Sequence, residues 1–454
     1  MALRRIPGTD REYHLIAFDK RGSEVPDADG SSASQAVLDA LADPAAAITD
    51  VFILSHGWQG DYVDAMNQYD RWLGAYDPDR LHDRVRPFVV GLHWPSKAWS
   101  DRTVRSAAAD GLLAGAPDRG DADTITVDDA VDEYADRFGD DPEVRQALRT
   151  VLEHVADVDP DQDADSRDRL PTEVADAYRI LAERIGAADD DPLLGSGWDA
   201  DAAFAEAAER REEDADDGLL GDGWFSKLRE AILTPLRQLT FWHGKNQARE
   251  FGESGARGLV RAIMAATPAR VHLLGHSFGT IVVSGAVRGP GSDPEPLPRP
   301  VDSLFLVQGA VSLWAFAPKV PRDVGGGRGY FADILDPARV AGPIVATRSK
   351  WDHAVGKYYP LAARVAGQFL LGDDLPKFGG IGTYGIQGVP DAVELPPLRS
   401  GRAPDGALAA ATVHNVDASA VIAALEGASG AHNDLAHREL VQLAWQAALT
   451  RTGV

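Results

Sequence analysis

The pentapeptide Gly275-His276-Ser277-Phe278-Gly279 is where the sequence first points to chemistry. It follows the strand-like run Arg270-Val271-His272-Leu273-Leu274 and precedes Thr280 to Val287, which reads as a helix. A serine between a strand and a helix sits on a tight turn that projects its hydroxyl outward, and flanking glycines leave room for that turn. Ser277 is therefore a candidate nucleophile for attack on a carbonyl carbon. The competing reading is an ordinary glycine-rich turn.

Such a serine needs donors for the oxyanion, a base and a carboxylate to orient the base. The backbone N–H of Phe278, at the start of the next helix, is one candidate donor. Trp58 is the other, in the loop Ser55-His56-Gly57-Trp58 that ends an earlier strand; His56 beside it reads as structural. For a serine on this kind of turn in an α/β sheet, the acid and then the histidine follow in the chain. That restricts the base to His353, His414, His432 or His437. His432 is the first choice, because Ser429 to Asp434 reads as a loop between a helix ending near Leu425 and one starting near Leu435. His414 lies in the largely apolar run Leu408 to Val416 and reads as a packed strand residue. His437 reads as part of the last helix, and His353 adjoins the acid. Asp352 is the preferred acid, one loop past the strand Ile344 to Thr347, with Asp336, Asp374 and Asp417 as alternatives.

Other patterns are weaker. Gly325 to Gly329 lacks the Lys-Ser or Lys-Thr of a phosphate cradle and reads as a loop. Asp161-x-Asp163-x-Asp165 lacks the turn glycine and distal glutamate of a calcium loop. His93-Trp94-Pro95-Ser96 reads either as pocket lining or as packing.

The elements around these residues alternate between strand and helix, the pattern of an α/β fold with a mostly parallel central sheet. Strands are expected at Tyr13 to Phe18, Val51 to Leu54, Phe88 to Leu92, Leu304 to Val307 and, more weakly, Val413 to Val416. Helices are expected from Tyr62 to Tyr76 and from Gln247 to Ala266. Gly252, Gly255 and Gly258 on the latter suggest close approach to another element.

Charge divides the chain. The net charge is −25, and residues 101–225 hold 36 acidic against 12 basic side chains. This quarter combines Asp-rich stretches with helical patterns around Val144 to Leu152 and Val174 to Ile185. It reads as a solvated helical insertion, 97–242, in a core formed by 1–96 and 243–454. Near its end, Leu228, Ile232, Leu233, Leu236 and Leu239 form an apolar stripe that reads as core packing, with a mobile lid as the alternative. So acidic a chain would repel phosphates, which argues against nucleic acid as a partner. The 44% hydrophobic and 25% charged composition is that of a globular protein. With no cysteine there is no disulfide, zinc-thiolate site or cysteine nucleophile. No secretory signal or transmembrane segment is visible, so a cytoplasmic location is expected.

Ser55-His56-Gly57-Trp58, Gly275-His276-Ser277-Phe278-Gly279, Asp352 and His432, in that order, resemble the α/β-hydrolase superfamily. Trp94-Pro95-Ser96, with His56-Gly57 before it, is similar to a lipase- and esterase-like subgroup. The resemblance covers about Tyr13 to Ser96 and Trp242 to the C-terminus. It implies an α/β-hydrolase fold and a serine esterase that needs no cofactor and forms an acyl-enzyme. His432 would be the base and Asp352 its partner, with Trp58 and Phe278 N–H groups forming the oxyanion hole. A small-molecule acyl substrate is expected. The alternative is a non-catalytic binding module on a hydrolase scaffold, docking a basic protein partner through the acidic insertion.

Overall fold

The computed structural model describes residues 3–27, 29–57, 62–75, 85–96, 126–157, 169–185, 199–213, 222–322, 326–358, 370–371, 375–376, 379–402 and 404–450. The chain divides into two compact units: Met1–Ser96 with Lys245–Pro360 and Gln368–Val454, and Lys97–Gly244 with Leu361–Gly367.

The first unit is built on a nine-stranded sheet. Its strands are β1 (Leu3–Arg5), β2 (Glu12–Ala17), β3 (Asp50–Ser55), β4 (Pro87–His93), β5 (Arg270–His276), β6 (Ser303–Val307), β7 (Ile344–Arg348), β10 (Val393–Leu395) and β11 (Val413–Asp417). The short strands β8 (Leu370–Leu371) and β9 (Leu375–Pro376) pair antiparallel with each other. The order is β1-β2-β4-β3-β5-β6-β7-β11-β10, with β1 antiparallel to β2 and every other pairing parallel. Central strands are continuous apolar runs because both faces are covered. On one face Leu15, Phe52, Leu54, Leu274, Phe305, Val307 and Val345 alternate along their strands into a core shared with α2 (Tyr62–Gly74) and α11 (Arg438–Leu449). Elsewhere α1 (Ala33–Ala42) packs against α8 (Arg257–Ala266), and α9 (Gly279–Arg288) lies against β5 and β3.

In the second unit the described elements are helices: α3 (Val127–Phe138), α4 (Pro142–Ala156), α5 (Thr172–Arg184), α6 (Ala200–Glu213) and the first part of α7 (Asp222–Phe251). Thr126 and Asp129 close a capping box on α3, and Asp141 caps α4 ahead of Pro142. Val131, Tyr134, Leu148, Val151, Tyr178 and Leu181 form a core with Ile232, Leu233, Leu236 and Leu239. Four of the five stripe residues near 228–239 are thus used inside this unit's own core. The boundary at 244/245 falls within α7, so hydrophobic periodicity alone could not locate it.

Between α7 and α8 the helix widens into a π-helical turn, Gly252–Ala256. A Cβ on Gly252 would lie 2.5 Å from Val282 O of α9, so the two helices meet backbone to backbone. Gly258 faces open space and has no such role. The expected helix ending near Leu425 is not formed: residues 418–422 make a single turn, and a 3-10 turn at Gly427–Ser429 follows. The last helix begins at Arg438, not near Leu435. A short helix, α10 (Ile381–Tyr384), packs against β7. Among the described residues no helix is long and apolar enough to cross a membrane.

Candidate active site

The chain leaves β3 for β4 on one side and returns to β5 on the other. The C-terminal ends of β3 and β5 therefore flank a change of direction, the place where open parallel sheets form ligand crevices. Ser55 pairs with Gly275 there, which puts the loop after β3 beside the loop after β5.

Ser277 occupies the turn between β5 and α9 with φ 54°, a left-handed conformation uncommon for a residue with a side chain. Its N–H donates to Val307 O at 3.1 Å, and its carbonyl accepts from the N–H of Thr280 and of Ala310. Both flanking glycines are required by contact. A Cβ on Gly275 would lie 2.3 Å from Gly279 O, and one on Gly279 would lie 2.2 Å from Ser55 O. Phe278, fully buried, opens α9.

The segment after β7 brings in Asp352. An antiparallel bridge joins it to Gly430, and Ala431 N–H donates to Trp351 O at 2.8 Å. These backbone bonds carry His432 to the carboxylate. His432 Nδ1–H donates to Asp352 Oδ2 at 2.8 Å, with the two residues 8% and 1% exposed. Oδ2 also accepts from Gln308 Nε2 at 2.9 Å, and Oδ1 accepts from Val355 N–H at 2.9 Å. Three donors are thus directed at the carboxylate, and a proton on Nδ1 leaves His432 Nε2 as the nitrogen free to accept. Among the described residues no hydrogen bond joins Ser277 Oγ to His432.

Three polar residues of this site had no local signal in the sequence. Gln308, at φ 46° just past β6, connects Asp352 to Thr347 and to Gly382 O. His276 Nε2–H donates to the His432 carbonyl at 3.0 Å, and Gln68 Nε2 of α2 donates to His276 Nδ1 at 2.7 Å. These partners lie 39 to 208 positions apart, beyond the reach of spacing rules. The position of His276 next to Ser277 was the one usable hint.

The other candidates are engaged elsewhere. His56 is buried; its Nδ1–H donates to Gly57 O at 2.8 Å and its Nε2 accepts from Trp94 N–H at 3.2 Å. Burial, and secondarily the nearby His93, lower its pKa to about 3, so it is neutral at working pH. Trp94 stacks on His56 and Phe251, which makes it a packing residue. His414 is buried in β11 and accepts from Ala409 N–H at 3.0 Å. His437 precedes α11 rather than lying in it and bonds Asp434 at 2.7 Å. His353 is partly buried beside Gly430. Asp336 and Asp417 accept from the nearby backbone N–H groups of Ala338 and Ser419. Trp58, Asp374 and the Asp161–Asp165 run lie outside the described residues. Among the described residues no three His, Asp or Glu side chains group as metal ligands.

No protein-family model, curated protein or solved structure matches the chain.

Proposed function

We propose that this protein is a serine hydrolase of the α/β-hydrolase type that cleaves carboxylic esters or related acyl substrates. The observation that carries the reading is the buried Asp352–His432 pair, whose histidine carbonyl is bonded by the residue next to Ser277. Ser277 on a left-handed strand-to-helix turn supports it, because such strain in a non-glycine residue is kept where a reactive group must be presented.

In this reaction Ser277 Oγ attacks the acyl carbon while its proton passes to His432 Nε2. Asp352 balances the imidazolium, and the N–H groups of Phe278 and Trp58 stabilise the oxyanion. Collapse breaks the bond to the alkoxide, which leaves with the histidine's proton. Water then gives a proton to His432 and attacks the acyl-enzyme, and Ser277 leaves with that proton. Ser277 Oγ and His432 Nε2 must come within about 2.6–3.2 Å for the first transfer, so substrate binding is expected to draw them together.

The test is labelling with a fluorophosphonate and turnover of p-nitrophenyl esters of increasing chain length. Wild-type protein should do both, and folded Ser277→Ala neither. A folded wild type that shows no labelling and no turnover removes the proposal.

A further inference from the structure

His276 fills the variable position before the nucleophile, and its side chain is used on both nitrogens. Nε2 faces the carbonyl oxygen of His432, which can only accept, so the ring proton sits there. Nδ1 then accepts from Gln68 Nε2. The ring centroid lies 4.8 Å from that of His432. A hydrogen-bonded chain therefore runs from α2 through the nucleophile turn to the backbone of the candidate base. Asp352 and its donors hold the same histidine from its other end.

We infer that His276 is a positioning residue: it ties the main chain of His432 to the turn that carries Ser277, so that the backbone of the base stays in register with that turn while the side chains close on substrate. This role deepens the serine-hydrolase reading and rests on it. One peptide unit separates His276 from Ser277, whereas His432 reaches this point from 156 residues away. Without the tie, its loop is held by the Asp352–Gly430 bridge and the Ala431–Trp351 bond on the acid side. Misplacement of a catalytic group by about 1 Å can cost on the order of 100-fold in rate.

Chemistry also favours a neutral ring here. Burial first, then the adjacent His432, hold the His276 pKa well below 6.5. His276 thus donates without adding a like charge beside His432 when that residue becomes an imidazolium. Among the described residues, the polar and titratable side chains facing His276 are Gln68 from α2, the His432 ring from its loop and His56 at longer range.

The test uses the full chain and p-nitrophenyl butyrate, with His276→Leu and His276→Gln. Leu removes the donor at similar bulk, while Gln retains an amide N–H able to reach the carbonyl. Folded His276→Leu should lose about tenfold or more in kcat with KM within about twofold, and Gln should recover most of it. The downfield proton resonance of the His432–Asp352 hydrogen bond should persist in the Gln variant and broaden or vanish in the Leu variant. Wild-type kcat in His276→Leu, or equal losses in both variants, overturns the role. If His276→Leu does not fold, Gln68→Met frees Nδ1 and should lower kcat about threefold at constant KM; no change there also overturns it. If wild-type protein neither labels nor turns over, the hydrolase reading fails. The proton resonance still decides whether His276 orients His432.

Discussion

The carboxylate of Asp352 accepts from His432, Gln308 and Val355, so it does more than neutralise charge. It fixes which imidazole nitrogen carries the proton. Asp352→Asn can present its NH2 group to Nδ1 and so favour the wrong tautomer. In the proposed mechanism that change should lower kcat by about 10³- to 10⁴-fold with little loss of fold. Steady-state kinetics beside a thermal melt would check this, and near-normal turnover in the folded variant would remove Asp352 from the reaction. Gln308→Leu should cost less, about tenfold, because it removes one of three donors without changing the tautomer. The residues legible in the sequence were those with a local signature: Ser277 in its glycine turn, and Asp352 and His432 in late loops. Gln308, Gln68 and His276 act across distances that only the folded sheet closes.

A hydrogen-bonded Ser-His-Asp grouping lies at the opposite end of the same strands. Asp50 opens β3, His272 lies in β5 and Ser303 opens β6. His272 bonds Asp50 through Nε2 and Ser303 through Nδ1, both at 2.9 Å, and Arg270 pairs with Asp50. His272 takes its two partners from the strands on either side, so the grouping pins β3, β5 and β6 together. Burial pushes the Asp50 carboxyl up, but hydrogen bonds from His272 and Thr49 and the charge of Arg270 outweigh it, leaving the pKa below 3.8. A carboxyl depressed by folding stabilises fully above its unfolded pKa and loses that effect as pH falls through the folded value. Asp50→Asn should therefore cost about 3 kcal/mol at neutral pH, a deficit that shrinks below about pH 4. Denaturant melts from pH 3 to pH 7 would show it; a pH-independent deficit would mean that charge is not the cause. The central strands were legible because Val51–Leu54 of β3 and Leu304–Val307 of β6 are apolar runs and β5 is interrupted only by His272 between Val271 and Leu273. The segment before Leu425 misled because its alanine-rich pattern is helical in period. Its backbone bonds elsewhere: Asp434 accepts from Ala423 and Ala424 N–H, and Ser349 Oγ donates to Ile422 O.

At the scale of the chain, the excess charge is concentrated in one of the two units. Residues 101–225 carry a net −24, while the remainder holds 34 acidic against 33 basic residues. Ion pairs offset part of the local repulsion: Arg145 with Asp132 and Asp140, Arg149 with Asp128, and Arg179 with Asp176 and Glu183. These are exposed pairs, screened by solvent and contributing little each. They weaken with salt, so on their account alone the helical unit would lose stability as salt is added. The excess of unpaired carboxylates acts the other way, since their mutual repulsion opposes the compact state and is screened as the Debye length falls. With 24 uncompensated charges against a handful of exposed pairs, repulsion wins. Raising sodium chloride from about 0.02 M to 0.5 M should slow amide exchange in α3, α4 and α5 about fivefold or more, equivalent to about 1 kcal/mol. Peptides from β3, β5 and β6 should change little, because the sheet unit is nearly neutral and its polar groups are buried. Peptide-resolved hydrogen exchange separates the two responses in one sample. Faster exchange of the helices in salt would mean that the ion pairs dominate. An equal gain in the sheet would point to a general salt effect, and charge density would then not distinguish the two units.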